Sequence, residues 1–279
     1  MINTTPTPYP ELNDVLKDLV GSIQEFFNSN FVGAYLQGSF AVGDFDEHSD
    51  VDFLVVTEAE LSAGQVALLQ EMHGRLYNLP SSWAQHLEGS YFPQQVLRQK
   101  PQPDSQLWYL DNGSRALIRS DHCNTFVVRW VVREKGLALA GPPAHTFLDP
   151  VPAAALRQEV LATINEWGAE ILNDPQRYNN RFYQGFIVLS YGRMLHALVH
   201  GTVVSKRAGA EWAKENLDPS WSGLIHRSWV TRPDPAKSVR QPADPADFVQ
   251  TLQFVRYIIE ESDKWRVAAA RGEPLWPPR

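Results

Sequence analysis

Residues 31–56, FVGAYLQGSFAVGDFDEHSDVDFLVV, decide the reading of this chain. Phe31 to Leu36 is a short β-favouring run that ends in Gln37-Gly38-Ser39, and Val51 to Val56 is a second apolar run with one acidic interruption, Asp52. A polar loop, Gly43 to Ser49, joins them. Residues at i and i+2 of a strand point to the same face, so Asp50 and Asp52 both offer hard oxygen ligands of the kind that Mg²⁺ on a nucleotide takes. Two like charges so placed repel. Metal is the natural way to hold such like charges together, and a metal pair can clamp the attacking and leaving oxygens of a phosphoryl displacement. Gly38 and Ser39, between a strand end and an expected short helix, present backbone amides to a phosphate with no side chain in the way. Ser49 adds a hydroxyl on the same rim.

Working outward, Glu11 to Asn30 has the i, i+3, i+4, i+7 apolar recurrence of an amphipathic helix, as does Ser62 to Leu79, which stops at Pro80. Gln85 to Tyr91 reads as a third strand carrying a lone acid, Glu88, and Pro93 ends it. Leu97 to Gly113 has no period and is expected to be a long loop with Trp108 and Tyr109 near its middle. Arg115 to Arg119 reads as one more strand, and Thr125 to Lys135, short and open to either helix or strand, is taken as a helix because it ends in basic residues before Gly136. Gly141-Pro142-Pro143 and Asp149-Pro150-Val151-Pro152 form a proline-rich joint, after which 153–173, 182–200, 205–217 and 244–271 all hold helical spacing. The expected fold is α+β: a domain over residues 1–150 built on a mixed β-sheet flanked by helices, then an α-helical bundle over 151–279.

Composition narrows the function classes. The 279 residues are 43% hydrophobic and 20% charged, which excludes a disordered chain. Twenty-five basic against 32 acidic residues give a net charge of −7, the wrong sign for a partner of long nucleic acids. The single cysteine, Cys123, cannot form an internal disulfide, and Met1 to Tyr9 lacks the layout of a signal peptide. The greasiest segment, Phe186 to Val199, is broken by Ser190, Gly192, Arg193 and His196, so no membrane span is expected. A cytoplasmic monomer acting on small molecules is the expectation.

The run from Gly38 through Ser49-Asp50-Val51-Asp52 resembles the signature of the DNA polymerase β-like nucleotidyltransferase superfamily. A second block, Leu189-Ser-Tyr-Gly-Arg193 through Gly201, Ser205-Lys206 and Trp212, is similar to the C-terminal helical domain of the aminoglycoside adenylyltransferases, the streptomycin and spectinomycin resistance enzymes. Together the blocks span about Phe31 to about Trp212. The resemblance implies AMP transfer from Mg·ATP to a hydroxyl of a small acceptor, at an active site between the two domains. Two Mg²⁺ would be held by Asp50, Asp52 and Glu88, and Glu88 would also be the general base. Gly38, Ser39, Ser49, Arg193 and Lys206 would contact ATP. A buried arginine on a helix lined by Phe186, Leu189 and Leu195 is costly without an anion nearby, which agrees with that role, although an arginine–carboxylate pair between helices would serve equally.

The acceptor contacts expected are Trp108 and Tyr109, an aromatic pair able to stack on a sugar or cyclitol ring, with Tyr183 and Gln184. The streptomycin-modifying relatives carry acids just ahead of the arginine helix. Here Asn173 to Phe186 has one acid, Asp174, against Arg177 and Arg181, with neutral Asn179, Asn180, Tyr183 and Gln184, so spectinomycin-like acceptors are expected over streptomycin unless Asp104 or Asp111 recognises charge. Two other classes remain: a toxin–antitoxin nucleotidyltransferase that adenylylates a protein or RNA, and a non-catalytic nucleotide sensor. His196 and His200, at i and i+4, lack further zinc ligands and read as structural, and Cys123 beside His122 reads as a packing residue.

Overall fold

The computed structural model describes residues 2–3, 5–47, 49–102, 105–231 and 239–272. The chain divides into two compact units, Met1–Val151 and Pro152–Arg279. Among the described residues no helix is long and apolar enough to cross a membrane.

The first unit is one mixed sheet with helices on both faces. Its strands are β1 (Phe31–Leu36), β2 (Val51–Thr57), β3 (Leu87–Pro93), β4 (Leu107–Leu110), β5 (Leu117–Ser120) and β6 (Leu137–Ala140), in the order β5-β4-β3-β2-β1-β6. β2 and β3 are parallel, and the other neighbours are antiparallel. The crossover between β2 and β3 is α3 (Ala63–Tyr77), started by a capping box in which Ser62 and Gln65 satisfy each other's backbone amides. Strand pleating sorts the side chains. Val51, Phe53, Val55, Leu87 and Tyr91 enter a core with α1 (Pro10–Phe27) and α3, while Leu54, Val56 and Phe92 enter a second core with α5 (Phe126–Lys135). Two short helices, α2 (Gly38–Val42) and α4 (Gln94–Leu97), follow β1 and β3.

One expectation about this unit fails. The stretch expected to be a loop contains β4, with Tyr109 in register with Ser90 and Trp108 with Tyr91. Both faces of β4 are packed, Leu107 and Tyr109 into the α5-side core and Trp108 and Leu110 into the α1–α3 core, so no polar alternation marks it. β6, four residues directly after α5, also escaped the pattern.

The second unit is helical: α6 (Ala153–Asn173), α7 (Arg181–His200), α8 (Lys206–Asn216), α9 (Ser222–Val230) and α10 (Pro245–Ala270). α7 is the central helix. It buries Ile187, Val188, Leu189, Tyr191, Leu195 and Leu198, an apolar set too broad for one face, and is capped by Asn180 at its start and left-handed Gly201 at its end. Gly209 lets α8 approach it closely, since a Cβ there would stand 2.8 Å from Arg193 Cα.

His73 on α3 illustrates how dry the first core is. Its ring is 2% exposed, stacks on Phe53 and bonds the Tyr91 hydroxyl through Nε2 at 2.6 Å, and burial depresses its pKa to about 3. The folded imidazole stays neutral while the unfolded one takes a proton below its ordinary range, so this group withdraws stability as pH falls from about 6.5 towards 3. Between pH 7 and 5 the loss attributable to His73 should be about 2 kcal/mol. Urea unfolding of His73→Gln at the two pH values should show a correspondingly shallower pH dependence than the parent; an identical dependence would contradict a neutral buried histidine.

Candidate active site

An acidic row crosses the sheet on the face that also carries the α5-side core. Asp52 pairs in register with Glu88 across the parallel β2–β3 ladder, and the Gln37 amide donates to the Asp52 carbonyl at 2.9 Å. Leu110 pairs with Gly89, which sets Asp111 at the same end of the sheet. Asp50 lies two residues before Asp52. One step along each strand the same face turns apolar or neutral, with Leu54, Ser90 and Tyr109 all buried. The row therefore rims a dry floor.

Neutral donors hold the acids. Asn112 Nδ2 donates to Asp50 Oδ1 at 2.6 Å. The Tyr109 hydroxyl lies 2.6 Å from Glu88 Oε1 and 3.1 Å from Asp111 Oδ1, and His122 Nε2 stands 3.5 Å from Glu88 Oε1. Burial first, then the Glu88 bond and the surrounding negative charge, push the Tyr109 pKa far up, so its hydroxyl keeps its proton and donates. Burial likewise raises the Cys123 thiol to about 12, with Glu88 and Asp52 adding to the effect, which leaves it an inert packing group.

Beside the row is the turn from β1 into α2. Gly38 has φ +57°, and a Cβ there would fall onto the Asp52 carboxylate, so only glycine fits. Ser39 Oγ is buried with no hydrogen-bond partner, whereas Ser49 Oγ accepts from the Asp46 amide at 2.9 Å and organises its own loop. Among the described residues no three Asp, Glu, His or Cys side chains converge closely enough to hold an ion by themselves. The expected three-ligand set of Asp50, Asp52 and Glu88 is thus not preassembled. Mg²⁺ on a nucleotide is usually bound by one or two carboxylates plus phosphate oxygens, so Asp50 and Asp52, with the unpartnered Ser39 hydroxyl beside them, fit that group.

Three expected acceptor contacts are corrected. Tyr109 is 4% exposed and spends its hydroxyl on Glu88 and Asp111, so its ring cannot stack on a ligand. Trp108 projects to the opposite face of the sheet from the acids, where the Arg119 guanidinium covers its ring at 4.3 Å. Gln184 is buried and ties α7 to α10, accepting from the Asp244 amide at 2.9 Å and donating to Asp247 at 3.2 Å. Tyr183 is half-buried among Tyr178, Phe182 and Phe186 at the start of α7. Within the second unit, Arg193 lies where α8 packs on α7, and Lys206 Nζ sits 4.8 Å from the Phe186 ring centre. Asp104 lies outside the described residues.

Sequence reading missed Asn112, His86 and His122. The signal for Asn112 was present: Asn112-Gly113 between LWYL and LIRS is a hairpin turn signature, and Gly113 has φ +75°.

The first unit has a nucleotidyltransferase fold. Residues 16–91 match the family described as Nucleotidyltransferase domain, and residues 146–259 match Aminoglycoside adenylyltransferase, C-terminal domain. An aminoglycoside (3'') (9) adenylyltransferase of Shigella flexneri is 23% identical over 91% of this chain and 96% of its own length. A spectinomycin 9-adenylyltransferase of Staphylococcus aureus is 26% identical over 68% and 74%. A spectinomycin adenyltransferase from Enterococcus faecialis, solved with ATP and spectinomycin, shares the fold with a TM-score of 0.65 at 13% identity, covering 88% of this chain and 98% of that one. The chain is thus similar to the aminoglycoside adenylyltransferases in both units, the two domain matches falling in the same order along it.

Gly38→Ala should destabilise the first unit by about 1–3 kcal/mol, from its left-handed backbone and its collision with Asp52. Adding Asp52→Ala should recover the part due to the collision, seen as non-additivity in urea unfolding. Strict additivity would show that Gly38 does not seat that carboxylate.

Proposed function

We propose that this protein transfers AMP from ATP to a hydroxyl group of an aminocyclitol or aminoglycoside antibiotic, with release of pyrophosphate. The observation that carries this reading is the register of Asp52 with Glu88 beside the Gly38–Ser39 turn, in a chain that matches both family domains in order. Two Mg²⁺, when bound, would neutralise phosphate charge and stabilise the attacking and leaving oxygens. Asp50 and Asp52 would hold them. The Glu88 carboxylate takes the proton of the acceptor hydroxyl as that oxygen bonds to the α-phosphorus and the bond to the bridging oxygen of pyrophosphate breaks. Tyr109 keeps the Glu88 carboxylate oriented through Oε1. Gly38 and Ser39 receive phosphate oxygens, Ser49 shapes the loop beside them, and Arg193 and Lys206 of the second unit supply positive charge to the triphosphate.

For the acceptor, the segment ahead of α7 favours a molecule with little positive charge. Its one acid is Asp174, and Arg177 there is engaged by Glu170. Of its neutral groups, Asn179 bonds Gln176, Asn180 caps α7 and Gln184 anchors α10, which leaves Tyr183 as the acceptor contact.

Incubation with Mg·ATP and spectinomycin should yield pyrophosphate and a product heavier by one adenylyl group. Asp52→Asn should retain less than about a tenth of that turnover, since losing a metal-clamp ligand costs several kcal/mol. Arg193→Ala and Lys206→Ala should each weaken ATP binding by roughly 1.5–3 kcal/mol, and less than additively together. Streptomycin should be modified at least about tenfold more slowly, roughly 1.4 kcal/mol of barrier. Equal rates on both drugs would overturn the acceptor reading, and an adenylylated co-purifying protein with no drug turnover would overturn the small-molecule reading.

A further inference from the structure

Asp50, like Asp111 after the end of β4, stands outside the strands: β2 begins at Val51, and Asp50 closes the polar loop that precedes it. Its backbone is therefore not fixed by the ladder at its own position, and its neighbours Asp52, Glu88 and Asp111 are all of the same charge. Residues i and i+2 of an extended chain are about 7 Å apart, close enough for two carboxylates to drive each other towards solvent.

The structure shows a two-step tether. The turn between β4 and β5 is closed by the Ser114 amide donating to the Asp111 carbonyl at 2.9 Å, and it carries Asn112, whose Nδ2 donates to Asp50 Oδ1 at 2.6 Å. Behind it, His86 Nδ1 lies 3.2 Å from Asn112 Oδ1. The roles in this chain are forced. A carboxylate only accepts, so the amide must turn its nitrogen to Asp50. Its oxygen can then only accept, so His86 carries its proton on Nδ1. The same histidine accepts from the Val51 amide through its carbonyl at 2.9 Å, so one residue ties both the backbone that follows Asp50 and, through Asn112, the Asp50 side chain.

The chemistry of the donor matters. A lysine or arginine at position 112 would hold Asp50 as firmly, yet its charge would repel the cation that Asp50 is there to receive. A neutral amide orients the carboxylate and adds no positive charge of its own beside it. Tyr109, from the strand leading into the same turn, does the equivalent for Glu88 with a neutral hydroxyl. Partners of this kind, one bond removed from a metal ligand, commonly change metal affinity by 10–100-fold when removed.

We propose that Asn112, oriented by His86, is a positioning residue that presets Asp50 for the divalent cation of the nucleotide complex. This rests on the reading of Asp50 as a metal ligand. The test is Mn²⁺ binding by the full chain with a saturating non-hydrolysable ATP analogue, read from the magnetic resonance signal of free Mn²⁺, with metal-free melting measured alongside. Asn112→Ala should weaken Mn²⁺ binding by about 10–100-fold while metal-free melting shifts little. His86→Ala should weaken it in the same direction by less, and the double variant should be no worse than Asn112→Ala alone, because His86 acts through Asn112. His86→Asn, which keeps an N–H donor near the Nδ1 position, should restore most of the affinity and guards against a folding defect in the alanine variants. Wild-type Mn²⁺ affinity in Asn112→Ala, or additive effects of the two alanines, would overturn the proposal. Asp50→Asn separates the two levels. Affinity lost there but kept in Asn112→Ala defeats only the positioning role, whereas affinity kept in Asp50→Asn defeats the metal reading beneath it.

Discussion

The parallel pairing of β2 with β3 sets Asp52 directly beside Glu88, and with Asp50 and Asp111 at the same sheet edge the fold gathers negative charge that would disperse in a free chain. The parallel ladder depends on α3 as its crossover and on apolar burial of both faces, because Phe53 and Val55 feed one core and Leu54 and Val56 the other. A slip of one residue would exchange the acids for Val51 and Phe53. Burial on both sides therefore fixes the register that the chemistry needs. Gly38 gives Asp52 its seat, and neutral donors from β4 and its turn seat Asp50 and Glu88.

Within the second unit the corresponding constraint is the crowding around α7. A helix buried over most of its circumference carries Arg193 at the point where α8 comes closest, and Gly209 is the residue that permits the approach. The polar groups at its start are largely spent on architecture: Asn180 caps it, and Gln184 links it to Asp244 and Asp247, the latter also paired with Arg227.

Much of this was legible in the sequence, for identifiable reasons. β1 and β2 carry enough consecutive β-favouring residues, and Gly38, Asp50 and Asp52 a distinctive enough spacing, to be read without coordinates. The long helices of the second unit announce themselves by period and by stops such as Gly201. β4 stayed hidden because four residues packed on both faces show neither period 2 nor period 3.6. α9, nine residues beginning Ser-Gly, is too short for its apolar spacing to stand out. The roles assigned to Trp108, Tyr109 and Gln184 followed from side-chain chemistry alone, and facing is what decided them: successive strand residues point to opposite faces, so of an adjacent aromatic pair only Tyr109 can meet Glu88. Asn112 and His86 lie 62 and 36 residues from Asp50, as 112 minus 50 and 86 minus 50, and no local pattern connects them.

The most direct test is the position of the metal itself. Crystals grown with Mn²⁺ and a non-hydrolysable ATP analogue, measured at the manganese absorption edge, should show anomalous density within direct coordination distance of carboxylate oxygens from both Asp50 and Asp52 and of the nucleotide phosphates. Ordered nucleotide with its manganese held elsewhere, and Asp50 and Asp52 bonded only to protein, would contradict the account.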